Sequence, residues 1–506
     1  NWHSWSGNND MKRKKKNIKT PLSVHEIQAA QLAAFQPLLS AQEFSELQAE
    51  SERALPQAIR LNPLKTEAGF TESMAKRYGW SLEPVPFCKM GYRVQAAEGT
   101  SVSSTLEHRT GQYYIQEAAS MLPVELFDME SDEEGLALDL AASPGGKTTH
   151  MISRMRDKGL VLANDSSQGR IQALKVVLQH WGGTNAAVTR FPGEQFGAWF
   201  PNTFHRVLID APCSMQGLRT AESHEARPVT EKESRSLALR QAALLASALA
   251  AVRPGGHVVY STCTLLPAED EGVVEAVLQR FGKVVQLLDA QKALPVPAPG
   301  IQTANELTYQ EDMSKVVRLW PHRYATAGFF ACLLQKTGDL RLPVSDPPTH
   351  SMEAAGFREL TMQEQKEFTA EFSAASGFDL MDYLEEKRRT LVRRDARLFL
   401  FPRLLLEQFR SLPVQSAGIL LGEWVGEEFI PSHEWVLRFG EKCANWLEPL
   451  DDERFMQFSA GEDLEGYSGV MGRNNSIHVI QDRHGRIAGR GKVVGETLKN
   501  LSARQL

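Results

Sequence analysis

The sequence predicts an α/β protein whose central domain is a doubly wound parallel sheet, between a small N-terminal α+β domain and a β-rich C-terminal domain. Short apolar segments bounded by Gly, Pro, Asn or Asp recur between residues 135 and 263. Helical segments separate them, and this alternation is typical of a parallel sheet with helices on both faces. The composition, 42% hydrophobic and 23% charged over 506 residues, is that of folded globular domains.

The N-terminal part of the chain divides into a tail and a first domain. The segment Lys12 to Lys19 makes residues 1–24 strongly basic and holds no apolar run, so we expect a basic tail there. Residues 25–105 mix helical and turn patterns, which predicts a small α+β domain. The chain is long enough for about three domains, and this is the first of them.

The central domain is predicted over residues 106–338. Its strands are expected at 135–141, 159–165, 186–190, 206–212 and 255–263, with a closing strand at 328–336. Helices are expected at 167–181 and 233–252, where apolar residues recur at helical spacing. In such a sheet the carboxyl ends of the parallel strands share one edge, and ligands bind there.

The C-terminal part begins with a segment of different composition. Residues 341–356 are rich in Pro and Ser, and residues 357–395 are charged with a helical pattern. We therefore predict a linker and helical segment over 339–396. Residues 397–506 hold short strand-like segments and many glycines, which predicts the β-rich domain.

Positive charge is unevenly distributed along the chain. The net charge is −6, which argues against a nucleic-acid binder when taken as an average. Residues 11–20, however, contain six Lys or Arg and no acid, and residues 483–506 contain six against Glu496 alone. Segregated positive charge is what a phosphate-binding surface requires. Three segments could hold phosphates: Lys12 to Lys19, Lys387 to Arg397 and Arg483 to Arg504. The commoner interpretation of the first is a solvated tail and of the second a solvated helix face, whereas the last favours RNA contact.

Membrane and secretory functions are not indicated. No stretch approaches about 20 uninterrupted apolar residues, so we expect neither a transmembrane helix nor a membrane partner. The first residues are basic but no apolar segment follows them, unlike a secretory signal. The cysteines are odd in number and widely spread, which does not indicate a disulfide framework. They are Cys88, Cys213, Cys263, Cys332 and Cys443. We therefore expect a cytoplasmic location.

A glycine-containing loop lies where the first predicted strand of the central domain gives way to a helix. Glycines at such a turn let backbone amides approach a ligand, and the helix N-terminus favours anionic groups. The loop therefore predicts a ligand site. Its residues are Ala141, Ala142, Ser143, Pro144, Gly145, Gly146 and Lys147.

Two kinds of ligand are compatible with this loop. The spacing of Ala141, Gly146 and Lys147 approximates a nucleotide phosphate-binding loop, with Ala where that motif has Gly, and Asp210 at a later strand end could bind magnesium. A P-loop nucleotidase is therefore an alternative. An adenosine-type cofactor is the other candidate, and its mark is an acidic residue at the end of the next strand.

Asp165 and Pro144 favour the adenosine-type cofactor. Asp165 follows the next predicted strand, 18 residues after Lys147, near the ~20 expected for binding ribose hydroxyls. Pro144 lacks an amide hydrogen, so it removes one donor from the cradle that a triphosphate needs. We therefore favour a nucleoside cofactor over a nucleotide triphosphate.

Two cysteines follow neighbouring strand ends. Cys213 comes three residues after Asp210, and Cys263 ends the next strand, so both thiols and Asp210 converge if these strands pair. Neither cysteine belongs to a C-x-x-C pair and no further ligand cluster is visible, so we predict no metal. A nucleophilic cysteine needs a site that favours thiolate, which a helix N-terminus and Lys147 could supply.

If the nucleoside cofactor is a methyl donor, a thiolate beside it could activate a cytosine for methylation. Cytosine C5 is too weak a nucleophile to take a methyl group, but thiolate addition to C6 makes C5 carbanion-like. A carboxyl group that binds N3 and the exocyclic amine stabilises the adduct. The C5 proton must then leave and the thiolate be expelled, a step that a second cysteine can assist.

The motifs resemble those of one known family. The segments AASPGGKT, DAPCS and STCTL, in that order, resemble the motifs of the Sun-type RNA cytosine-C5 methyltransferases. AIRLNPLKT (58–66) and YYIQEAASM (113–121) are similar to that family's N-terminal signatures, and RLWPHRYATAGFFACLL (318–334) to its closing strand. The C-terminal phrases LLGEW and GRGKVVGETLKN resemble the PUA-like tail of its RsmF-type bacterial members, which methylate 16S ribosomal RNA.

The resemblance implies a Rossmann-like class I methyltransferase core, an N-terminal RNA-recognition domain and a PUA-like RNA-binding domain. S-adenosylmethionine is the implied cofactor, with Ala141 to Lys147 around its methionine part and Asp165 at its ribose. Cys263 is the implied nucleophile, and Cys213 assists product release. Asp210 binds the target base while its strand end touches the cofactor, and Lys147 contacts the base.

The chain departs from the family pattern in two places. The family usually places Asp after the third strand, where this chain has Phe191 to Gly193 with Glu194 nearby. After DAPCS this chain continues with Met215-Gln216-Gly217, and Arg219 follows where the family also has Arg. Ribosomal RNA or the small ribosomal subunit is the implied partner, rather than tRNA, and we expect a monomer. A non-catalytic RNA-binding ribosome-assembly factor remains the alternative.

Overall fold

The computed structural model describes residues 24–129, 134–218, 228–304, 307–340, 342–467 and 476–502. The segment Lys12 to Lys19, predicted to belong to a basic tail, lies outside these residues. Within the described parts, no helix is both long and apolar enough to span a bilayer.

The first unit is a four-stranded antiparallel sheet with helices. Its helices are α1 (Val24–Phe35), α2 (Ala41–Ser51), α3 (Phe70–Tyr78) and α4 (Leu106–Arg109). Its strands are β1 (Ala58–Leu61), β2 (Ser81–Pro84), β3 (Gly91–Gln95) and β4 (Tyr113–Ile115), in the order β2-β3-β1-β4. The predicted domain boundary at residue 105 falls before β4. This last strand pairs with β1, so the sheet ends at Ile115.

The central domain contains the elements that hold the site. Its helices are α5 (Leu122–Glu125), α6 (Gly146–Arg154), α7 (Gln168–Trp181), α8 (Phe196–Trp199), α9 (Glu231–Ala251), α10 (Glu271–Phe281) and α11 (Pro321–Tyr324). Its strands are β5 (Leu136–Asp139), β6 (Leu160–Asn164), β7 (Ala186–Thr189), β8 (Phe204–Asp210), β9 (Val252–Thr262), β10 (Val285–Leu288), β11 (Thr303–Ala304), β12 (Leu307–Thr308), β13 (Val317–Leu319) and β14 (Phe329–Lys336).

These strands form a Rossmann-like sheet. Strands β7-β6-β5-β8-β9 pair in parallel in that order, and β14 adds antiparallel to β9, with β10 beyond it. Alternate residues of β5 point to opposite faces: Leu136 and Leu138 join one apolar cluster, and Ala137 joins the other. Burial on both faces explains why the strands read as continuous apolar runs. The predicted doubly wound α/β core is confirmed.

The segment after the central domain combines a second sheet with helices, two of which lie within the predicted helical segment. Its helices are α12 (Met362–Ser376), α13 (Leu380–Glu386) and α14 (Arg403–Phe409). Its strands are β15 (Arg358–Glu359), β16 (Arg389–Arg394), β17 (Arg397–Pro402), β18 (Ser416–Ala417), β19 (Ile419–Val425) and β20 (Glu428–Pro431). The sheet order is β15-β16-β17-β19-β20, whereas β18 pairs with β7 and extends the central sheet.

The structure differs here from the predicted linker and helical segment over 339–396. Arg389–Arg394 form strand β16, because Thr390, Leu391 and Val392 are suited to a strand and all three are buried. The predicted boundary at 396 falls in the hairpin between β16 and β17. The Pro-rich segment before it is anchored, since His350 N donates to Ser411 O at 2.7 Å.

The last unit is a small sheet with two helices. It contains α15 (His433–Phe439), α16 (Asp452–Ser459), β21 (Leu447–Pro449), β22 (Ile477–Gln481), β23 (Ile487–Val494) and β24 (Thr497–Asn500). The strand order is β21-β22-β23-β24, and only the first pair is parallel among these. The β-rich character matches the sequence pattern, and the PUA-like assignment stays a prediction.

A buried arginine joins the first sheet to the central domain. Arg60 lies on β1, and its Nη2 donates to Gly146 O at 2.8 Å and to Thr149 Oγ1 at 2.7 Å. Its Nε donates to Gln116 Oε1 at 2.9 Å, and the guanidinium stacks over Trp181 at 4.6 Å. Burial lowers the pKa of Arg60 to about 10, so this group stays charged at neutral pH. The first domain is thereby fixed to the start of α6.

We expect Arg60→Met to lower the free energy of unfolding by about 3 kcal/mol, because it leaves several buried acceptors without a donor. Urea unfolding followed by tryptophan fluorescence measures the change. Arg53→Met is the control, since Arg53 is exposed in a surface ion pair with Glu50 that contributes little. Equal unfolding midpoints for the Arg60 variant and the wild type would contradict this role.

Candidate active site

Parallel pairing of β8 and β9 brings the two cysteines together. Asp210 and Ser261 are register partners at the carboxyl ends of these strands. Cys213 follows Asp210 by three residues and Cys263 follows Ser261 by two. Both thiols therefore lie at the same edge of the sheet. The two Sγ atoms lie 3.2 Å apart. The structure therefore brings together the cysteines and Asp210 as the sequence predicted.

The two thiols differ in acidity. The hydrogen bond from Cys213 lowers the pKa of Cys263 below its ordinary value, and the charge of Lys147 acts in the same direction against burial. The same hydrogen bond, together with burial, raises the pKa of Cys213. The favoured state has a thiolate on Cys263 that accepts a hydrogen bond from a neutral Cys213. A thiolate is the nucleophilic form of cysteine.

An ion pair lies beside the thiols. Lys147 Nζ donates to Asp210 Oδ2 at 2.7 Å, and Ser261 Oγ donates to Asp210 Oδ1 at 3.1 Å. Burial works against the charge on Lys147, but Asp210, together with Cys263 and Asp139, outweighs burial, and the pKa of Lys147 is raised. About a third of the Asp210 side chain is exposed, so this carboxylate can still accept bonds from a ligand.

The glycine loop follows β5 and leads into α6. Ala142 N donates to Asn164 O at 2.7 Å, and Ser143 N donates to Asp165 Oδ2 at 3.3 Å, so the end of β6 holds the loop. Gly145 has a φ of 118°, a conformation that side chains with Cβ rarely adopt. The amides at the start of α6 are therefore presented at the edge of the sheet.

A cavity of about 350 Å³ opens between this loop and β4. The residues that shape it include Tyr114, Glu117, Asp139, Ser143, Lys147 and Asp210. A Cβ on Gly146 would lie 2.9 Å from Tyr114 Cε1, so the close approach of β4 requires glycine at that position. Asp165 and Gly145 do not line the cavity. The cavity adjoins the ion pair, and Lys147 links it to the thiols.

Asp139 is a site residue that the sequence reasoning missed. It ends β5 and is buried, with Oδ2 accepting from Thr148 Oγ1 at 2.6 Å and Oδ1 without a partner among the described residues. Burial raises the pKa of Asp139 to about 7. A buried unpaired acceptor at a cavity is suited to a donor group of a ligand. Its position at the end of a predicted strand is the sequence feature that could have identified Asp139 as a site residue.

The segment from Tyr114 to Glu117 also belongs to the site, although the sequence patterns identified it only as part of a family signature. Glu117 is half-buried, and desolvation raises its pKa against the effect of several backbone amides. One of these amides is Ala327 N, at 3.0 Å from Glu117 Oε1. Glu117 therefore connects the cavity to the segment that precedes β14.

The two departures from the family pattern have structural counterparts. Phe191 N donates to Asn164 Oδ1 at 2.9 Å, and Glu194 forms an ion pair with Arg240 at 3.0 Å. Gly217 O accepts from Gly328 N at 2.7 Å, so the loop after Cys213 packs on the start of β14. Arg219 lies outside the described residues.

The predicted phosphate-binding segments are largely occupied by internal contacts where they are described. Arg486 pairs with Asp482 at 2.7 Å, and Lys499 pairs with Asp463 at 2.9 Å. Arg389, in the middle segment, is buried and donates to Thr184 Oγ1 at 2.8 Å.

A group of potential metal ligands lies away from the thiol pair. Cys88, Glu125 and His150 place their ligand atoms within 4.8 Å of one another. Arg154 forms an ion pair with Glu125, and Arg60 interacts electrostatically with Cys88. The cluster therefore already holds positive charge beside its acid and thiol.

Comparisons with known proteins agree with this fold. A methyltransferase homolog protein from Pyrococcus horikoshii is 28% identical with a TM-score of 0.50, covering 61% of this chain and 99% of that one. NSun6 from Pyrococcus horikoshii is 21% identical with a TM-score of 0.51, covering 62% and 98%. The fold and site define an S-adenosylmethionine-dependent methyltransferase.

Sequence relatives identify the family. Residues 126–335 match the family described as 16S rRNA methyltransferase RsmB/F, and residues 29–118 match the N-terminal domain of 16S rRNA methyltransferase RsmF. Ribosomal RNA small subunit methyltransferase F of Aeromonas salmonicida is 31% identical over 94% of this chain and 95% of its own length. The protein of that name from Shewanella oneidensis is 32% identical, over 90% and 91%. The chain belongs to the RsmB/F family of 16S rRNA methyltransferases.

We expect Lys147→Met to raise the pKa of Cys263, because it removes the positive charge beside the thiolate. Alkylation of Cys263 by iodoacetamide, measured by peptide mass spectrometry across pH, reports this pKa, since only the thiolate reacts. The half-maximal rate should move to higher pH. Lys283→Met, at an exposed lysine after α10, is the control and should leave the profile unchanged. An unshifted profile in the Lys147 variant would rule out the electrostatic role.

Proposed function

We propose that this protein transfers a methyl group from S-adenosylmethionine to C5 of a cytosine in 16S ribosomal RNA. Membership of the RsmB/F family supports the reaction and the class of substrate. The single observation that carries the chemistry is the pair of thiols 3.2 Å apart, with thiolate favoured on Cys263. The P-loop nucleotidase and the non-catalytic assembly factor have no comparable support.

The cavity residues are suited to S-adenosylmethionine. The backbone from Ala141 to Lys147 would surround the methionine part, and the unpaired Oδ1 of Asp139 is an acceptor suited to its ammonium group. Asp165 does not line the cavity, because it lies behind the loop and orders Ser143 N. It would bind the ribose hydroxyls where the cofactor extends past Ser143. S-adenosylmethionine supplies an electrophilic methyl group when it is bound.

Cys263 is proposed to begin the reaction. Its thiolate forms a bond from Sγ to C6 of the cytosine, and the electron pair of the C5–C6 double bond becomes available at C5. Asp210 is placed to bind the base edge that carries N3 and the exocyclic amine. Lys147 keeps its charge beside Asp210 and stabilises the negative charge that the attack brings onto the base. The base must be unstacked to reach this site.

Cys213 is proposed to complete the reaction. Once Cys263 Sγ is bonded to carbon, the thiolate that raised the pKa of Cys213 is gone, so Cys213 can release its proton to solvent. Cys213 Sγ then takes the C5 proton, the C–H electron pair restores the C5–C6 double bond, and Cys263 leaves C6 as thiolate. C5 takes the methyl group before this step, with the donor's S–CH₃ bond broken and its electron pair left on sulfur. The products are 5-methylcytosine, S-adenosylhomocysteine and the starting protonation state of the two cysteines, with one proton released overall.

The partner and location are proposed at finer detail. Ribosomal RNA, alone or within the small subunit, is the substrate in preference to tRNA, since the relatives carry names for small-subunit RNA methylation. We propose that the protein acts in the cytoplasm, where its substrate is assembled, and that it acts as a monomer. The N-terminal sheet and the β-rich unit are the proposed RNA-binding domains.

The thiol roles predict opposite outcomes for two variants. Cys263→Ala should abolish methylation because no thiolate can add to C6. Cys213→Ala should form the adduct and release it slowly, so that a covalent protein–RNA complex accumulates on denaturing gels. Bisulfite sequencing of 16S ribosomal RNA, from a deletion strain complemented by each variant, reports the methylated cytosine. Full methylation with Cys263→Ala would refute the mechanism.

Asp165→Ala should weaken S-adenosylmethionine binding by about tenfold, because it removes an acceptor for the ribose and the anchor of Ser143 N. Isothermal titration calorimetry with the purified protein measures the affinity. Asp346→Ala changes an exposed aspartate in an irregular segment and serves as the control. Unchanged affinity in the Asp165 variant would show that Asp165 does not contribute to the cofactor site.

A further inference from the structure

A buried carboxylate lies behind the loop that carries Cys213. Glu269 is fully buried just before α10, and its Oε2 accepts from Ser214 N at 2.9 Å. The same oxygen accepts from Gln241 Nε2 at 3.0 Å, and Oε1 accepts from Ser234 Oγ at 3.1 Å. Ser214 is the residue next to Cys213, so this carboxylate holds the backbone of the cysteine loop directly.

A second bond extends the same connection. Gln241 Nε2 also donates to Pro212 O at 2.8 Å, so Glu269 and Gln241 together fix the backbone on both sides of Cys213. Tyr260, on β9, donates its hydroxyl to the carbonyl oxygen of Glu269 at 2.5 Å. Glu269 is therefore tied to the strand that leads to Cys263 as well as to the loop of Cys213.

We propose that Glu269 is a positioning residue that sets the Cys213 thiol against Cys263 and thereby governs release of the methylated RNA. The proposal rests on the proposed function, because it concerns the second half of that reaction. Cys213 must take a proton from C5 while Cys263 is still bonded to C6. That transfer requires Cys213 Sγ at C5, whereas the initial attack uses Cys213 only as a hydrogen-bond donor to the Cys263 thiolate. Displacement of Cys213 should therefore slow release more than attack.

The loop of Cys213 also contacts the loop of Cys263 directly. Ser214 Oγ lies 3.1 Å from Thr264 Oγ1, and Leu265 N donates to Gln216 O at 3.2 Å. A Cβ on Gly217 would lie 2.7 Å from both Cys263 O and Gly328 O. The loop thus fits between a hydrogen-bonded anchor at Ser214 and a steric limit at Gly217. Either of these can be altered without touching the thiols, which makes the proposal testable by two independent routes.

The first route removes the acceptor. Glu269→Ala leaves Ser214 N without its partner, and we expect the covalent protein–RNA adduct to accumulate, with release slowed by about tenfold or more. Glu269→Gln should restore release, because its amide oxygen can accept from Ser214 N and Gln241 while its NH₂ donates to Ser234 Oγ. Rescue by Gln separates a positioning effect from an effect of negative charge.

The second route uses sterics. Gly217→Ala forces the same loop away from Cys263 O and leaves Glu269 intact, so it should also accumulate adduct. Glu275→Ala is the matched control on α10. Glu275 is a buried carboxylate that accepts from Gln310 N at 3.0 Å and Glu311 N at 3.1 Å, away from both cysteine loops. Its loss can lower stability but should not trap RNA.

The experiment incubates each full-length variant with S-adenosylmethionine and 16S ribosomal RNA and measures adduct and methylated product over time. Cys213→Ala is run beside them. If Cys213→Ala gives no adduct, the proposed function fails. If Cys213→Ala traps RNA while Glu269→Ala and Gly217→Ala fold and release product at the wild-type rate, the role of Glu269 fails. Equal trapping by Glu275→Ala would also overturn it, because the effect would then be loss of stability. Should Glu269→Ala not fold, Gly217→Ala and Glu269→Gln decide the question.

Discussion

The in-register parallel pairing of β8 with β9 is the constraint on which the proposed chemistry depends. Asp210 faces Ser261 across this ladder, and both cysteines leave the sheet within three residues of that pair. A shift of one residue would turn every side chain of one strand to the other face, and the thiols would no longer meet. Close packing on both faces specifies the register, because a slipped strand would place side chains of the wrong size in each apolar cluster. The reactive geometry is therefore a consequence of core packing.

Charge balance is the second requirement of the site. A thiolate on Cys263 and the carboxylate of Asp210 lie together in a largely buried place, where two like charges oppose each other. Lys147 offsets this repulsion, because it pairs with Asp210 and also lowers the pKa of Cys263. One ammonium thus stabilises two anions. Its position at the second residue of α6 ties this balance to the glycine loop and so to the cofactor cavity.

The sequence reveals the local parts of this arrangement and not the long-range ones. The apolar strands, the glycine loop and the strand-end cysteines follow from patterns within a few residues, and their convergence follows from the geometry of parallel sheets. Glu269 could not be found in this way, since its partner Ser214 lies 55 residues away. The strand at Arg389–Arg394 was missed because charged residues at its end masked a buried β-branched centre. The cationic C-terminal segment looked free because some of its acidic partners, such as Glu428 for Lys492 and Asp463 for Lys499, are distant in sequence.

The cofactor cavity also explains why the first sheet is attached where it is. One wall of the cavity is the glycine loop, and the other begins at Tyr114 on β4, so the cavity exists only when the two domains are joined. Arg60 makes that joint at Gly146 O, the first residue of α6. A movement of the first sheet would displace Tyr114 and the start of α6 together, because Gly146 packs against Tyr114 and its carbonyl oxygen accepts from Arg60. The proposed RNA-recognition domain therefore forms part of the cofactor site, and RNA bound to it would lie on an element that also shapes the methyl-donor cavity.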